Sequence, residues 1–380
     1  TYWGDKCSER YRQRRTISQK PVIPDLFGFH ESSLMTDIPG PDGLGIRIGM
    51  PRAMYFYDRF PFWRTYFAQL GAEIVLSEPT SHKVVTDGRE LCVAEPCFPI
   101  VVSHGHVADL LDKKTDFIFI PNVINAETDT PTKESWYCPW GQTLPFVVRT
   151  APGIEENADR LLAPRVKFRD GRKALMRDLA GMAEQLGASK ARLGLALDRA
   201  EVAQQEFRRA LLEAGREALD ALAEAGEAGI VLVGRSYNMY DKGINMDIPR
   251  KLRKFYGVNL IPLDFLPIAG IELDDIVPNM FWNYGRKILQ AARFVRDWDN
   301  LHLIYMTNFK CGPDSYIKHY IREASGKPFL SLQFDEHQND AGAMTRCEAY
   351  LDSKGFLRTW SQAEDGACAP CEEVVGVGHD

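Results

Sequence analysis

No stretch of this 380-residue chain approaches the roughly 18–20 consecutive apolar residues that a bilayer-spanning helix needs, so a membrane span is not expected. No basic run or stripe stands out and the formal net charge is −6, which argues against nucleic acid as a partner. There is no G-x-x-x-x-G-K-[ST] phosphate loop. The one glycine-rich stretch, GLGIRIG (43–49), lacks G-x-G-x-x-G spacing, so the chain itself is not expected to bind ATP. The opening TYWGDKCSERYRQRR has neither the apolar centre of a signal peptide nor an initiator methionine. A processed product or one piece of a longer polypeptide is the expectation. Short C-x2-C pairs of the zinc type are missing except for Cys368 and Cys371 near the end.

What is present is an ordinary globular composition, 45% hydrophobic and 26% charged, in a chain long enough for two or three domains. The eight cysteines are widely spaced. Without an export signal they read as reduced thiols of a cytoplasmic protein, where cysteines more often serve metals or catalysis than disulfides.

Apolar strands alternate with helical stretches along most of the chain. GIRIGM (45–50), AEIVLS (72–77) and DFIFIPNV (116–123) read as strands, with helices at 55–71 and 106–114 between them. AGIVLVG (228–234), VNLIPLDFLP (258–267), LHLIYMTNF (301–309) and KPFLSLQFDEH (327–337) repeat the plan, with helices at about 249–256, 282–297 and 314–324. Such alternation predicts α/β architecture: two Rossmann-like (flavodoxin-like) parallel-sheet domains with a helical insert between them. The expected division is an irregular lead-in at 1–43, a first α/β domain at 44–152, a helical segment at 153–227, a second α/β domain at 228–356 and a tail at 357–380. The Ala-, Leu-, Glu- and Arg-rich helical segment has its longest helix at about 189–226.

Three cysteines fall in loops on the expected site side of these sheets. Cys97 precedes a helix, Cys138 lies in SWYCPWGQTLP and Cys311 lies in TNFKCGPDSY. A proline follows each within two residues, stiffening the loop and removing a competing N–H. A helix starting near Asp314 would bring its positive end to a thiolate. Several chemistries remain open for this set: an iron–sulfur cluster, zinc, a Cys–His nucleophile using Cys97 with His104 or His106, or cysteines packed as small hydrophobes. Cys347, in AMTRCEAYL, reads as a packing residue. Cys92 stands between a fourth ligand and a core residue.

The segments GIRIGMPRAMYFYDRFPFWRTYFAQLGAEIVLSEPT, CFPIVVSHGHVADLL, DFIFIPNVIN, SWYCPWGQTLPFVVR, GRSYNMYDKGINMDIP, TNFKCGPDSYI and LSLQFDEHQNDAGAMTRCEAYLDS resemble, in order, those of 2-hydroxyacyl-CoA dehydratase-like proteins. They resemble most the acyl-CoA dehydratase activase-related subgroup, a module often fused behind a benzoyl-CoA reductase/dehydratase-type activase ATPase. The resemblance covers residues 45–355, and GDKCSERY resembles the joint of fused members. It implies a [4Fe-4S] cluster held by Cys97, Cys138 and Cys311, with Cys92 as the candidate fourth ligand. An [8Fe-9S] double cubane is the alternative that the spare thiols Cys92 and Cys347 leave open. It further implies low-potential electrons from an ATP-hydrolysing activase partner or fused domain, used in a reductive or radical dehydration-type reaction on a small molecule or acyl-CoA. An electron-transfer or scaffold component without its own substrate is the competing expectation, and a dimer is expected.

Other residues in the site-side loops are candidates for chemistry or for ordinary turn and capping roles. Arg52 follows the first strand and is placed to meet a substrate anion. His104 is a candidate hydrogen-bond partner near the thiols, and Arg235, with Tyr237 and Asn245, follows the strand at 228–234. Glu336 and His337 follow the last strand, where an acid and an imidazole suit proton relay, or helix capping with Asp335.

Overall fold

The computed structural model describes residues 20–36, 43, 45–337 and 339–357, and the statements below concern those residues. Cys7, Cys368 and Cys371, most of the lead-in and nearly all of the tail lie outside them.

Two four-stranded sheets, all parallel, organise the chain. The first has the order β2-β1-β3-β5, from β1 (Arg47–Met50), β2 (Glu73–Leu76), β3 (Phe117–Phe119) and β5 (Leu161–Leu162). A two-stranded pair, β4 (Asn122–Asn125) with β6 (Arg165–Lys167), runs on from it, also parallel. The second has the order β10-β9-β7-β8, from β7 (Gly229–Gly234), β8 (Leu260–Pro262), β9 (Leu301–Asn308) and β10 (Leu330–Phe334). β7 is buried at all six positions, the state its uninterrupted apolar run requires of a central parallel strand.

In each sheet the chain leaves one strand for opposite sides in turn. β1 is flanked by β2 and β3, and β7 by β8 and β9. These are topological switch points, where crevices open beyond the carboxyl ends of the strands.

The helices show how the local sequence sets these crevices. α2 (Phe56–Leu70) buries an aromatic face including Phe60, Trp63 and Phe67, and stops at Gly71 in the left-handed conformation (φ 83°). α3 (His82–Leu91) and α4 (Phe98–Leu111) approach backbone to backbone. A Cβ on Gly88 would strike the Val101 carbonyl, and one on Gly105 the Val84 carbonyl. Gly105, from the SHGHV stretch, therefore fixes how α4 lies and where its first residue points. α5 (Pro139–Arg149), α6 (Gly171–Asp178) and α7 (Ala180–Gln185) follow.

α8 (Lys190–Ala225) is the long helix expected at 189–226. Ser189 accepts the Arg192 N–H at its start, and Gly226 ends it at φ 62°. It packs on α2, and Gly215 seats it against the Phe265 carbonyl of the second half. It is thus a shared wall of both halves. The second half adds α9 (Ser236–Tyr240), α10 (Ile248–Tyr256), α11 (Asn283–Arg296), α12 (Gly312–Ser325) and α13 (Ala341–Ser353).

Two local readings are corrected. The lead-in read as irregular carries a helix at Leu26–Leu34, because its prolines flank that stretch rather than interrupt it and Asp25 caps its start. The segment read as helical from 153 opens with a short 3-10 turn at Glu155–Arg160 and then holds β5 and β6, strands too short to leave a periodic signal. No helix among the described residues is long and apolar enough to cross a membrane.

Candidate functional site

Cys97, Cys138 and Cys311 are each the residue that begins a helix: α4, α5 and α12 respectively. All three have extended backbone, and Pro99, Pro139 and Pro313 occupy the first turns, where a missing N–H leaves no donor unsatisfied. All three are buried, at 7%, 9% and 8% exposure. Three helix starts therefore bring positive dipole ends to three thiols. The Gly141 amide donates to Cys138 Sγ at 3.3 Å. The Ile100 and Asp314 amides lie close enough to favour the thiolates of Cys97 and Cys311 without completing a capping hydrogen bond.

Cys97 lies within electrostatic reach of both Cys138 and Cys311. Burial pushes the Cys97 thiol up to about 12, and the neighbouring Cys138 adds to the rise. Burial likewise raises Cys311, with Asp314 and Cys97 adding to it. Arg235 opposes the rise at both. Tyr237 is within reach of all three thiols, and burial raises its phenol well above the usual range.

Arg235 is the fixed charge of the site. Its Nε donates to Asp314 Oδ1 at 2.8 Å, with the two side chains 2% and 1% exposed. Thr307 Oγ1 donates to the other carboxylate oxygen at 2.6 Å. Burial alone would lower the guanidinium's pKa, but the Asp314 carboxylate holds it charged. One guanidinium nitrogen, Nη2, has no partner in this buried setting. Arg235 follows β7 and Cys311 follows β9, so both stand at the second sheet's switch point.

The approaches to the thiols are conformationally constrained. Lys310, just before Cys311, has φ 64°, and Met54, just after β1, has φ 51°; both are left-handed non-glycine residues. Lys310 Nζ contacts Glu95 at 2.7 Å, joining the Cys311 loop to the Cys97 loop. Tyr55 borders Cys138, and its hydroxyl packs so tightly on Gly141 that any side chain there would strike it.

Other residues singled out in the sequence have different surroundings. Arg52 is occupied by Ser77, through its amide to Oγ and its Nε to the carbonyl, both at 2.9 Å. Ser77 continues to His106 Nδ1 (2.9 Å), His106 Nε2 to Thr80 Oγ1 (2.9 Å), and Thr80 donates to Asp241 Oδ2 (2.6 Å). This chain stitches the first half to the second. Thr80 donates onward to the carboxylate, so Nε2–H of a neutral His106 donates to Thr80. Burial lowers the His106 pKa to about 3, consistent with that form. His104 is buried, its Nδ1 bound to the Ile100 carbonyl at 2.8 Å. Glu336 lies near Lys310, while His337 is exposed and paired with Asp335 at 3.2 Å. Asn245 braces the turn after α9 through the Asn238 and Met239 carbonyls. Cys92 closes α3, half-buried, and burial raises its thiol to about 11 with no contribution from the other thiols. Cys347 is fully buried on α13.

Asp314, Thr307 and Gly141 went unremarked as site residues in the sequence. The only signal for Asp314 was an acid in the first turn of a helix, three residues after a cysteine. Among the described residues no three His, Cys, Asp or Glu side chains are grouped tightly enough to hold a metal ion.

Two parallel sheets whose switch points meet at a buried thiol and guanidinium centre define a two-sheet α/β protein. The chain belongs to the family of the CoA enzyme activase uncharacterised domain (DUF2229), whose family model matches residues 47–266. That span includes Cys97, Cys138 and Arg235 and ends before Cys311. No curated protein and no solved structure matches the chain.

Proposed function

We propose that Cys97, Cys138 and Cys311 hold a [4Fe-4S] cluster. On this reading the protein takes low-potential electrons from an ATP-hydrolysing activase, as a partner or fused domain, and uses them in a reductive or dehydration-type reaction. The observation that carries the reading is the shared placement of the three thiols: separate loops, helix starts, Cys97 within electrostatic reach of the other two, and one buried arginine. Three buried cysteines are the type of ligand a cubane takes. Bound there, such a cluster would supply electron transfer at low potential.

The chain's own residues have definable work in this scheme. The three helix starts and the Gly141 amide offset thiolate charge. Arg235, held by Asp314, keeps a positive charge beside Cys138 and Cys311, with one N–H set free to meet an anion. Burial excludes water. Cys92 and Cys347 lie in surroundings of their own, so an [8Fe-9S] double cubane would require movement of the loops that carry them.

A role as an electron-transfer component serving another protein is favoured by one feature. Phe309 (55% exposed) and Trp140 (36% exposed) stand beside Cys311 and Cys138, an apolar rim suited to a protein partner rather than a water-tight cover. The test is purification without oxygen, with iron and sulfide analysis and an EPR spectrum after dithionite. A brown protein with a reducible signal is the expected result; a colourless, iron-free and well-folded protein overturns the proposal.

A further inference from the structure

We propose that the Arg235–Asp314 pair sets the reduction potential of the centre held by Cys97, Cys138 and Cys311, the guanidinium raising it and the carboxylate lowering it. The proposal rests on the cluster reading above and gives two of the chain's own charges a definite sign within it.

Both charges are fixed beside the thiols. Arg235 follows β7 and begins α9, and its Nε donates to Asp314 Oδ1 at 2.8 Å. Asp314 lies in the first turn of α12, the helix that Cys311 begins. Thr307 Oγ1 donates to Asp314 Oδ2 at 2.6 Å, and the Tyr305 hydroxyl donates to the Asp314 backbone carbonyl at 3.2 Å. The Tyr284 ring lies 5.6 Å from the guanidinium carbon. Neither charge reaches bulk water.

An ion pair so buried adds little to stability, because desolvation offsets the attraction. What its charges do to their neighbours is the better account of this one. Arg235 is within electrostatic reach of all three thiols, and Asp314 acts on Cys97 and Cys311 in the opposite sense. These groups are almost dry, so water and salt screen the effects poorly. Guanidinium Nη2 has no partner, which leaves part of the positive charge uncompensated. One electron from a low-potential donor adds one negative charge to the centre. A fixed cation stabilises that added charge and a fixed anion opposes it. In the intact pair the two effects partly cancel, so removing either charge exposes the other.

The test is a dithionite redox titration of the full chain purified without oxygen, followed by EPR, with iron counted in every sample. It is run at about pH 9, where a carboxylate left without its arginine is ionised. Arg235→Gln should lower the ratio of reduced to oxidised protein at a fixed potential about tenfold, which is about 59 mV for one electron. Asp314→Asn should raise that ratio by a similar factor. Arg235→Lys keeps the charge and should stay near wild type. The double variant Arg235→Gln/Asp314→Asn loses the pair yet carries neither charge, and it too should return near wild type. Damage to packing alone would move both single variants the same way and the double variant furthest. Shifts in one direction, no shift, or a double variant displaced beyond either single would therefore overturn the proposal. Loss of iron from both singles and the double alike would overturn it as well, by assigning the pair to assembly of the centre. If one single variant loses its iron, the sign of the other decides, with the double variant as its reference. Wild-type protein without iron would remove the cluster reading and this proposal together; an iron-loaded protein whose potential ignores the pair would remove the proposal alone.

Discussion

Arg235 and Asp314 form an ion pair at 2.8 Å with both side chains almost dry, at the point where the strand order of the second sheet reverses and within reach of the thiols. A pair so buried contributes less through its attraction than it would cost to break. Removing one partner leaves a charge stranded out of water, at roughly 3–5 kcal/mol.

Arg235→Ala is therefore expected to lower unfolding free energy by about that amount, because Asp314 remains buried. Arg235→Lys keeps a positive charge but loses the planar fork, so it should keep much of the stability and lose the unpaired N–H. Urea denaturation of the two variants, with iron content alongside, separates the structural part of Arg235 from its part at the thiols.

Gly105→Ala should be severe for a different reason. A methyl group there meets the Val84 carbonyl, so α3 and α4 must separate and Cys97, at the head of α4, must move. Overpacking costs of 1–3 kcal/mol are the minimum to expect. A circular-dichroism melt shows the loss, and Gly342→Ala, a helical position where a methyl meets open space, should not lower Tm.

Gly141→Ala gains about 1 kcal/mol of helix propensity but strikes the Tyr55 hydroxyl. The clash should win, giving a net loss. Tyr55→Phe removes the offending atom, so the double variant should recover stability beyond the sum of the single effects. A double-mutant cycle that is simply additive would contradict this contact.

Acid stability should depend on Glu127. Burial alone would raise its pKa, but Arg59 and then Arg208 outweigh it and hold the carboxylate well below its usual 4.5. A depressed folded pKa gives stability that is full above the unfolded value and lost as pH falls through the folded one. Glu127→Gln should therefore destabilise at pH 7, by about 1–2 kcal/mol given the one-third exposure of the carboxylate, and matter progressively less below about pH 4. Urea midpoints of both proteins at pH 7 and pH 3 check the sign.

The elements with unbroken apolar runs or long periodic faces were legible in the sequence: β7, β9, α2 and α8 stand within a residue or two of their expected bounds. So was the placement of Cys138 and Cys311 in loops that lead from a strand into a helix; Cys97 instead lies between two helices, α3 and α4. What was not legible depended on atoms far apart in the chain. Nothing near His106 announced Ser77, Thr80 and Asp241; its local pattern offered only a partner for Cys97. Asp314 carried no mark of its pairing with Arg235, 79 residues earlier. The close approach at Gly88 and Gly105 belongs to two helices together, so neither glycine alone looked different from a weak helix former. Residues 26–34 were obscured by their flanking prolines, whose effect stops at Asp25.

The central claim is tested most directly by counting iron in single cysteine variants purified without oxygen. Cys97→Ala, Cys138→Ala and Cys311→Ala should each remove the iron and the dithionite-reduced EPR signal while far-ultraviolet circular dichroism stays native, and Cys347→Ala should retain both. Iron that survives each of the three substitutions, or a wild-type chain that folds fully with none, would contradict the account.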